Sequence, residues 1–151
     1  MSMQKTGFTE ALEKVVAADP RYDREAYLFL QDALDFTMKS RKKHKSDLSR
    51  HVTGQELLEG IRVFALREYG PMVLTVFGTW GIRRCDDFGE MVFNLIRIGI
   101  FGKTETDTIE DFRNGYDFAE AFEKPFLPER IASSKHGETE KSPQISQINA
   151  D

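Results

Sequence analysis

The sequence predicts a mainly α protein: a single compact helical domain over residues 6–128, followed by a disordered polar tail over 129–151. Three observations predict it. Five segments repeat apolar residues at the spacing of one helical face. Residues that start and stop helices stand between those segments. Beyond Pro128 the stretch ERIASSKHGETEKSPQISQINAD is polar and poor in aromatics, so it cannot offset the entropy of ordering.

The first helix places Phe8, Leu12, Val15 and Val16 on one face, with Thr6 or Thr9 as cap, and Asp19-Pro20 breaks it. Asp23 can cap a second helix, where Tyr27, Leu30, Leu34 and Met38 form a stripe joined by Ala26, Phe29 and Ala33. That stripe stops at the basic run beginning with Lys39. The third helix opens on Thr53-Gly54-Gln55-Glu56, a capping box in which the Thr hydroxyl and the Glu carboxylate each satisfy a free backbone N–H. Leu57, Leu58, Ile61, Phe64 and Ala65 then face inward.

Gly70-Pro71 ends that helix and starts a fourth, because Gly suits a helix C-terminus and Pro the first helical turn. The fourth helix carries Val73, Val76, Phe77 and Trp80. Trp80 reads as core, and a partly exposed indole there would mark an interface. Gly81 closes the helix, and Asp86 or Asp87 caps a fifth with Phe88, Met91, Val92, Leu95 and Ile96 on one broad face. Gly99 and Gly102 interrupt the pattern, and residues 99–108 form either a small β-hairpin or a loop. In the segment EDFRNGYDFAEAFEKPFLP, Asn114-Gly115 is a turn signal and Asp117 a cap, and the many aromatics are expected to lie against the helical body.

The fourth helix, its turn, the fifth helix and the Gly-punctuated stretch after it follow the order of a helix-turn-helix with a wing. A generic antiparallel helix pair explains the same residues. The composition argues against sequence-specific DNA recognition. The outward positions of the fifth helix would be Asp86, Asp87, Gly89, Glu90, Phe93, Asn94 and Arg97, placing acids at the end that would meet phosphate.

A formal charge of -4 gives the chain no general attraction to nucleic acid or anionic lipid. Within it, residues 39–51 hold Lys39, Arg41, Lys42, Lys43, Lys45 and Arg50 against Asp47 alone. This loop is a candidate patch for RNA or a ribosomal surface, or else a solvated linker. No aromatic stands inside it to stack bases. The N-terminus lacks the apolar core of a signal peptide, no run approaches a membrane span, and a lone cysteine fits a reducing cytoplasm.

No catalytic, cofactor-binding or metal-binding residue is assigned. His44 and His51 lack further ligands, and no phosphate loop or nucleophile elbow is present. Cys85, beside Arg83 and Arg84 and near a helix start, is either a reactive thiol or a small buried hydrophobe. The leading expectation is a non-enzymatic cytoplasmic module that binds an unidentified protein. Its expected interface is Phe93, Arg97, Tyr116, Phe118 and Phe122, on the fifth helix and the aromatic-acidic segment. RNA or ribosome association through the basic loop is the alternative.

The segments ALEKVVAADPRYDREAYLFLQDAL, HVTGQELLEGIRVFALREYGPMVLTVFGTWGIRRCDDFGEMVFNLI and GKTETDTIEDFRNGYDFAEAFEKPFLP resemble a family of small proteins found chiefly in planctomycete and verrucomicrobial bacteria. The likeness spans roughly residues 8–128 and implies one domain over that span. That family brings no assigned activity, cofactor or site residue.

Overall fold

The computed structural model describes residues 2–3, 7–44, 52–102, 109–113 and 115–128, and of 2–3 and 41–44 the backbone alone. Five α-helices dominate: α1 (Phe8–Ala18), α2 (Arg24–His44), α3 (Gly54–Tyr69), α4 (Val73–Trp80) and α5 (Cys85–Arg97). Two-residue strands β1 (Ser2–Met3) and β2 (Phe101–Gly102) pair antiparallel, Ser2 opposite Gly102 and Met3 opposite Phe101. Short 3-10 turns cover Gly70–Met72, Ile109–Phe112 and Lys124–Phe126, and a π-helical turn covers Ala119–Glu123. The tail expected from residue 129 lies outside the described residues.

Local chemistry sets most helix ends. Thr53 accepts from the Glu56 N–H at 3.1 Å while Glu56 accepts from the Thr53 N–H at 3.0 Å, completing the capping box that starts α3. Asp23 accepts from the Glu25 N–H at 2.8 Å at the start of α2. Thr9 does not cap α1 but lies inside it, the N-cap being Gly7 with left-handed backbone, and Thr6 lies outside the described residues. The cap of α5 also differs from expectation. Its N-cap is Arg84, and Asp87 reaches back to accept from the N–H groups of Arg83 at 2.7 Å and Arg84 at 3.2 Å.

Burial assembles these helices around α2 and α3. Leu30 and Leu34 of α2, Leu57 and Ile61 of α3, and Met91 and Leu95 of α5 are fully excluded from solvent. Phe77 of α4 sits at the centre of an aromatic cluster, its ring centroid 5.5 Å from those of Phe29, Phe88 and Phe122 and 5.7 Å from that of Phe118. A buried Phe contributes roughly 1.5–3 kcal/mol through apolar area alone, so this cluster is a principal source of stability.

Two features depart from the local pattern. α2 does not stop at Lys39 but continues to His44, because nothing in 39–44 breaks a helix. β2 takes its partner from the start of the chain, a long-range pairing that the residues around it do not encode. Residues 103–108, where the other arm of a local hairpin was expected, lie outside the described residues.

Candidate protein-docking site

Three helices bring aromatic rings to one place. Gly70 is the C-cap directly after Tyr69, and Gly81, with left-handed backbone at φ 88°, is the C-cap directly after Trp80. α3 and α4 therefore each deliver a ring at their last residue. The Tyr69 and Trp80 rings meet edge to face, centroids 5.9 Å apart at 79°. Phe29 of α2 packs against both, 6.1 Å from Tyr69 and 5.5 Å from Trp80, and lies 5.6 Å from Phe64. Phe29 is buried, whereas Phe64, Tyr69 and Trp80 are half-buried.

A groove of about 110 Å³ runs between these rings, lined also by Leu28 and by the carboxylates of Glu25, Asp32 and Glu68. Leu28, Phe29 and Asp32 follow Glu25 at three, four and seven residues, so one face of α2 supplies half the lining. Several acids elsewhere are matched, among them Asp35 with Lys39 at 3.0 Å, Asp19 with Arg21 at 2.7 Å and Glu59 with Arg62 at 2.5 Å. Among the described residues Glu25, Asp32 and Glu68 form no ion pair, and neither the Trp80 indole N–H nor the Tyr69 hydroxyl has a hydrogen-bond partner.

The electrostatic consequences are legible in the groups themselves. The Asp32 carboxyl is pushed up first by burial and then by the charges of Asp35 and Glu68. The Tyr69 hydroxyl is pushed up by burial, then by Glu68, Asp32 and Glu25. α3 and α4 both end here, and helix C-termini carry partial negative charge. The one cation in the last turn of α3, Arg67, engages Phe36, its Cζ 5.8 Å from the ring centroid. The groove can therefore hold a positively charged group with an apolar stem, the combination that cation–π contact and stem burial favour.

The interface expected from sequence is mostly interior. Phe118 is 8% exposed and Phe122 1%, because both rings close over Phe77. Tyr116 is half-buried, its hydroxyl donating to the Leu58 carbonyl at 2.7 Å and its ring lying 5.7 Å from that of Phe122. Phe93 is half-buried and packs against the core rather than standing on a polar face. Of that set only Arg97 is exposed, and it donates to the Asn94 side chain.

Two positions read as outward on α5 also point inward. Gly89 is buried because the Phe112 side chain lies against it, leaving 2.8 Å between the Phe112 Cβ and any Cβ built at 89. Asn94, 6% exposed, donates to Asp19 at 2.9 Å and to the Tyr27 hydroxyl at 3.0 Å. Asp87 accepts from the Tyr22 hydroxyl at 2.7 Å as well as from backbone. The acids at the start of α5 are thus partly structural.

Cys85 is buried, 3.4 Å from the Tyr116 carbonyl, and burial pushes its thiol up to about 11. Its neighbouring arginines do not activate it; Cys85 belongs to the packing. Of the basic run, Lys39 pairs with Asp35, while the side chains of Arg41, Lys42, Lys43, Lys45 and Arg50, with those of His44 and His51, lie outside the described residues. Among the described residues no group of three His, Cys, Asp or Glu side chains is placed to hold a metal, and no helix is long and apolar enough to cross a membrane.

The groove was not read from the sequence, although it left a signal there. An aromatic residue stands immediately before a helix-stopping glycine twice, as Tyr69-Gly70 and Trp80-Gly81. Comparison with known proteins adds nothing to this geometry: no family model, curated protein or solved structure matches the chain.

Proposed function

We propose that this protein is a non-enzymatic, cytoplasmic protein-interaction module that docks its partner on the groove between α2, α3 and α4. The observation that carries the reading is the half-buried Trp80–Tyr69 pair, packed on Phe29 and rimmed by carboxylates that have no counter-ion among the described residues. Tryptophan and tyrosine offer large contact area and a polar tip, which is why interfaces favour them. At about 110 Å³ the groove is well below the roughly 300–1,000 Å³ of small-molecule pockets, so it suits a side chain better than a cofactor. A buried thiol with a raised pKa supports the non-enzymatic reading. The α4–α5 pair serves as scaffold, with Asp87 engaged by Tyr22 and by the start of α5.

The test is affinity capture from native cells with wild-type protein and a Glu68→Lys variant, each with and without nuclease. A protein partner held by wild type, resistant to nuclease and lost with Glu68→Lys is the expected result. Identical captures by both proteins would reject the groove. A capture that nuclease abolishes would instead favour RNA association through the basic run at 39–50.

A further inference from the structure

We infer that the occupant of the groove is an arginine side chain from a basic segment of another protein. This rests on the groove being the docking face and names what it docks. Charge selects a cation: Glu25, Asp32 and Glu68 face the space without a counter-ion among the described residues, and two helix C-termini add to the same sign. Ring surface selects a planar cation, because a guanidinium stacks on aromatic faces while a lysine ammonium is a compact, strongly hydrated point charge. The same aromatic strip already shows this contact inside the chain. Arg67 lies over Phe36, whose ring is 5.3 Å from that of Phe64, itself part of the groove lining. A second copy of this chain carries a basic run of its own at 39–51 but approaches against the repulsion of a net charge of -4, so it stands as the competing outcome of the titration.

Trp80 is the only tryptophan, so its emission reports occupancy directly. The full chain is titrated at low salt with three N-acetylated, C-amidated tetrapeptides: tetra-arginine, tetra-lysine and tetra-citrulline, the last neutral and nearly isosteric with arginine. The expected result is a saturable emission change with tetra-arginine, at least about tenfold weaker with tetra-citrulline, weaker with tetra-lysine, and declining as salt is raised. Asp32→Asn and Glu68→Gln each weaken the arginine titration roughly two- to fivefold, with circular dichroism unchanged.

Absence of a saturable change with tetra-arginine would overturn the inference. So would equal affinity for the citrulline or lysine peptide, or indifference to both carboxylate variants. An emission change that follows the concentration of the protein alone would assign the groove to a second copy and overturn it too. If the peptides fail while capture of a protein remains sensitive to Glu68→Lys, the docking face stands and only the guanidinium is lost.

Discussion

The Thr37 hydroxyl occupies the space beside Gly60 that any side chain at that position would need. A Cβ built there would collide with Thr37 Oγ1 and stand 2.9 Å from Thr37 Cβ, within the buried contact of α2 and α3. Thr37 is itself held in place by donating to the Ala33 carbonyl at 2.7 Å. Alanine is the better helix former by about 1 kcal/mol, so propensity alone makes Gly60→Ala stabilising. Packing reverses the sign: Gly60→Ala is expected to destabilise by roughly 1–3 kcal/mol, the usual cost of overpacking, with partial recovery in Gly60→Ala/Thr37→Ala. Chemical denaturation measures both, and a Gly60→Ala protein as stable as wild type would show that the helices do not approach so closely.

Cys85 links folding to alkaline pH. Its thiol is pushed up from 9.0 to about 11, chiefly by burial. A folded-state pKa above the unfolded value contributes stability that is fully present below pH 9 and lost as pH rises through 11. Wild-type stability is therefore expected to fall over that window more than that of Cys85→Ala. Alkylation at neutral pH is expected to be slower than that of a model thiol. Parallel slopes for the two proteins above pH 9, or fast labelling of the native state, would show the thiol to be exposed.

Asp19 acts at the opposite end of the pH scale. Hydrogen bonds from the Arg21 guanidinium hold its carboxyl well below the ordinary range, overcoming the opposing effect of burial, with Asn94 adding a further bond. A depressed carboxyl contributes stability above its unfolded value, near 3.8, that is lost as pH falls through the folded value. Asp19→Asn should flatten the acid limb of the stability curve below about pH 4. Arg21→Ala should shift the acid unfolding midpoint upward. Acid titration followed by circular dichroism checks both, and an unchanged acid limb in Asp19→Asn would remove the assignment.

How far these relationships could be read from the sequence depended on how local their causes are. Thr53 and Glu56 lie three residues apart, so the capping box that starts α3 was legible, as were Asp23 before α2 and Gly81 after α4. The inward face of each helix followed from apolar spacing. Asn94 and Gly89 were misread because polarity and small size look like solvent exposure, whereas Asn94 meets Asp19 and Tyr27 from distant segments and Gly89 makes room for Phe112. The Ser2–Met3 pairing with Phe101–Gly102 is equally remote. The candidate groove was the least legible part. It exists only where α2, α3 and α4 meet, and no periodicity within one helix announces that Phe29, Tyr69 and Trp80 share a surface.

Phe122 and Phe126 separate interior from surface within one short segment. Phe122 is 1% exposed with its ring 5.5 Å from Phe77 and 5.3 Å from Phe118, whereas Phe126 is 47% exposed and makes no ring contact among the described residues. Truncating a buried Phe typically costs about 3–5 kcal/mol through lost transfer energy and a residual cavity. Placing a carboxylate there adds the penalty of an unpaired buried charge. Phe122→Ala is therefore expected to lose about 3–5 kcal/mol and Phe122→Asp to prevent stable folding, while Phe126→Asp leaves the denaturation midpoint close to that of wild type. The pair also guards the interpretation of binding experiments. A partner lost with Phe122→Asp reports collapse of the core, whereas one lost with Glu68→Lys in a folded protein reports the groove. Equal stability of the Phe122 and Phe126 variants would show that the aromatic segment is not packed on α4, and the inward closure of Phe118 and Phe122 would fall with it.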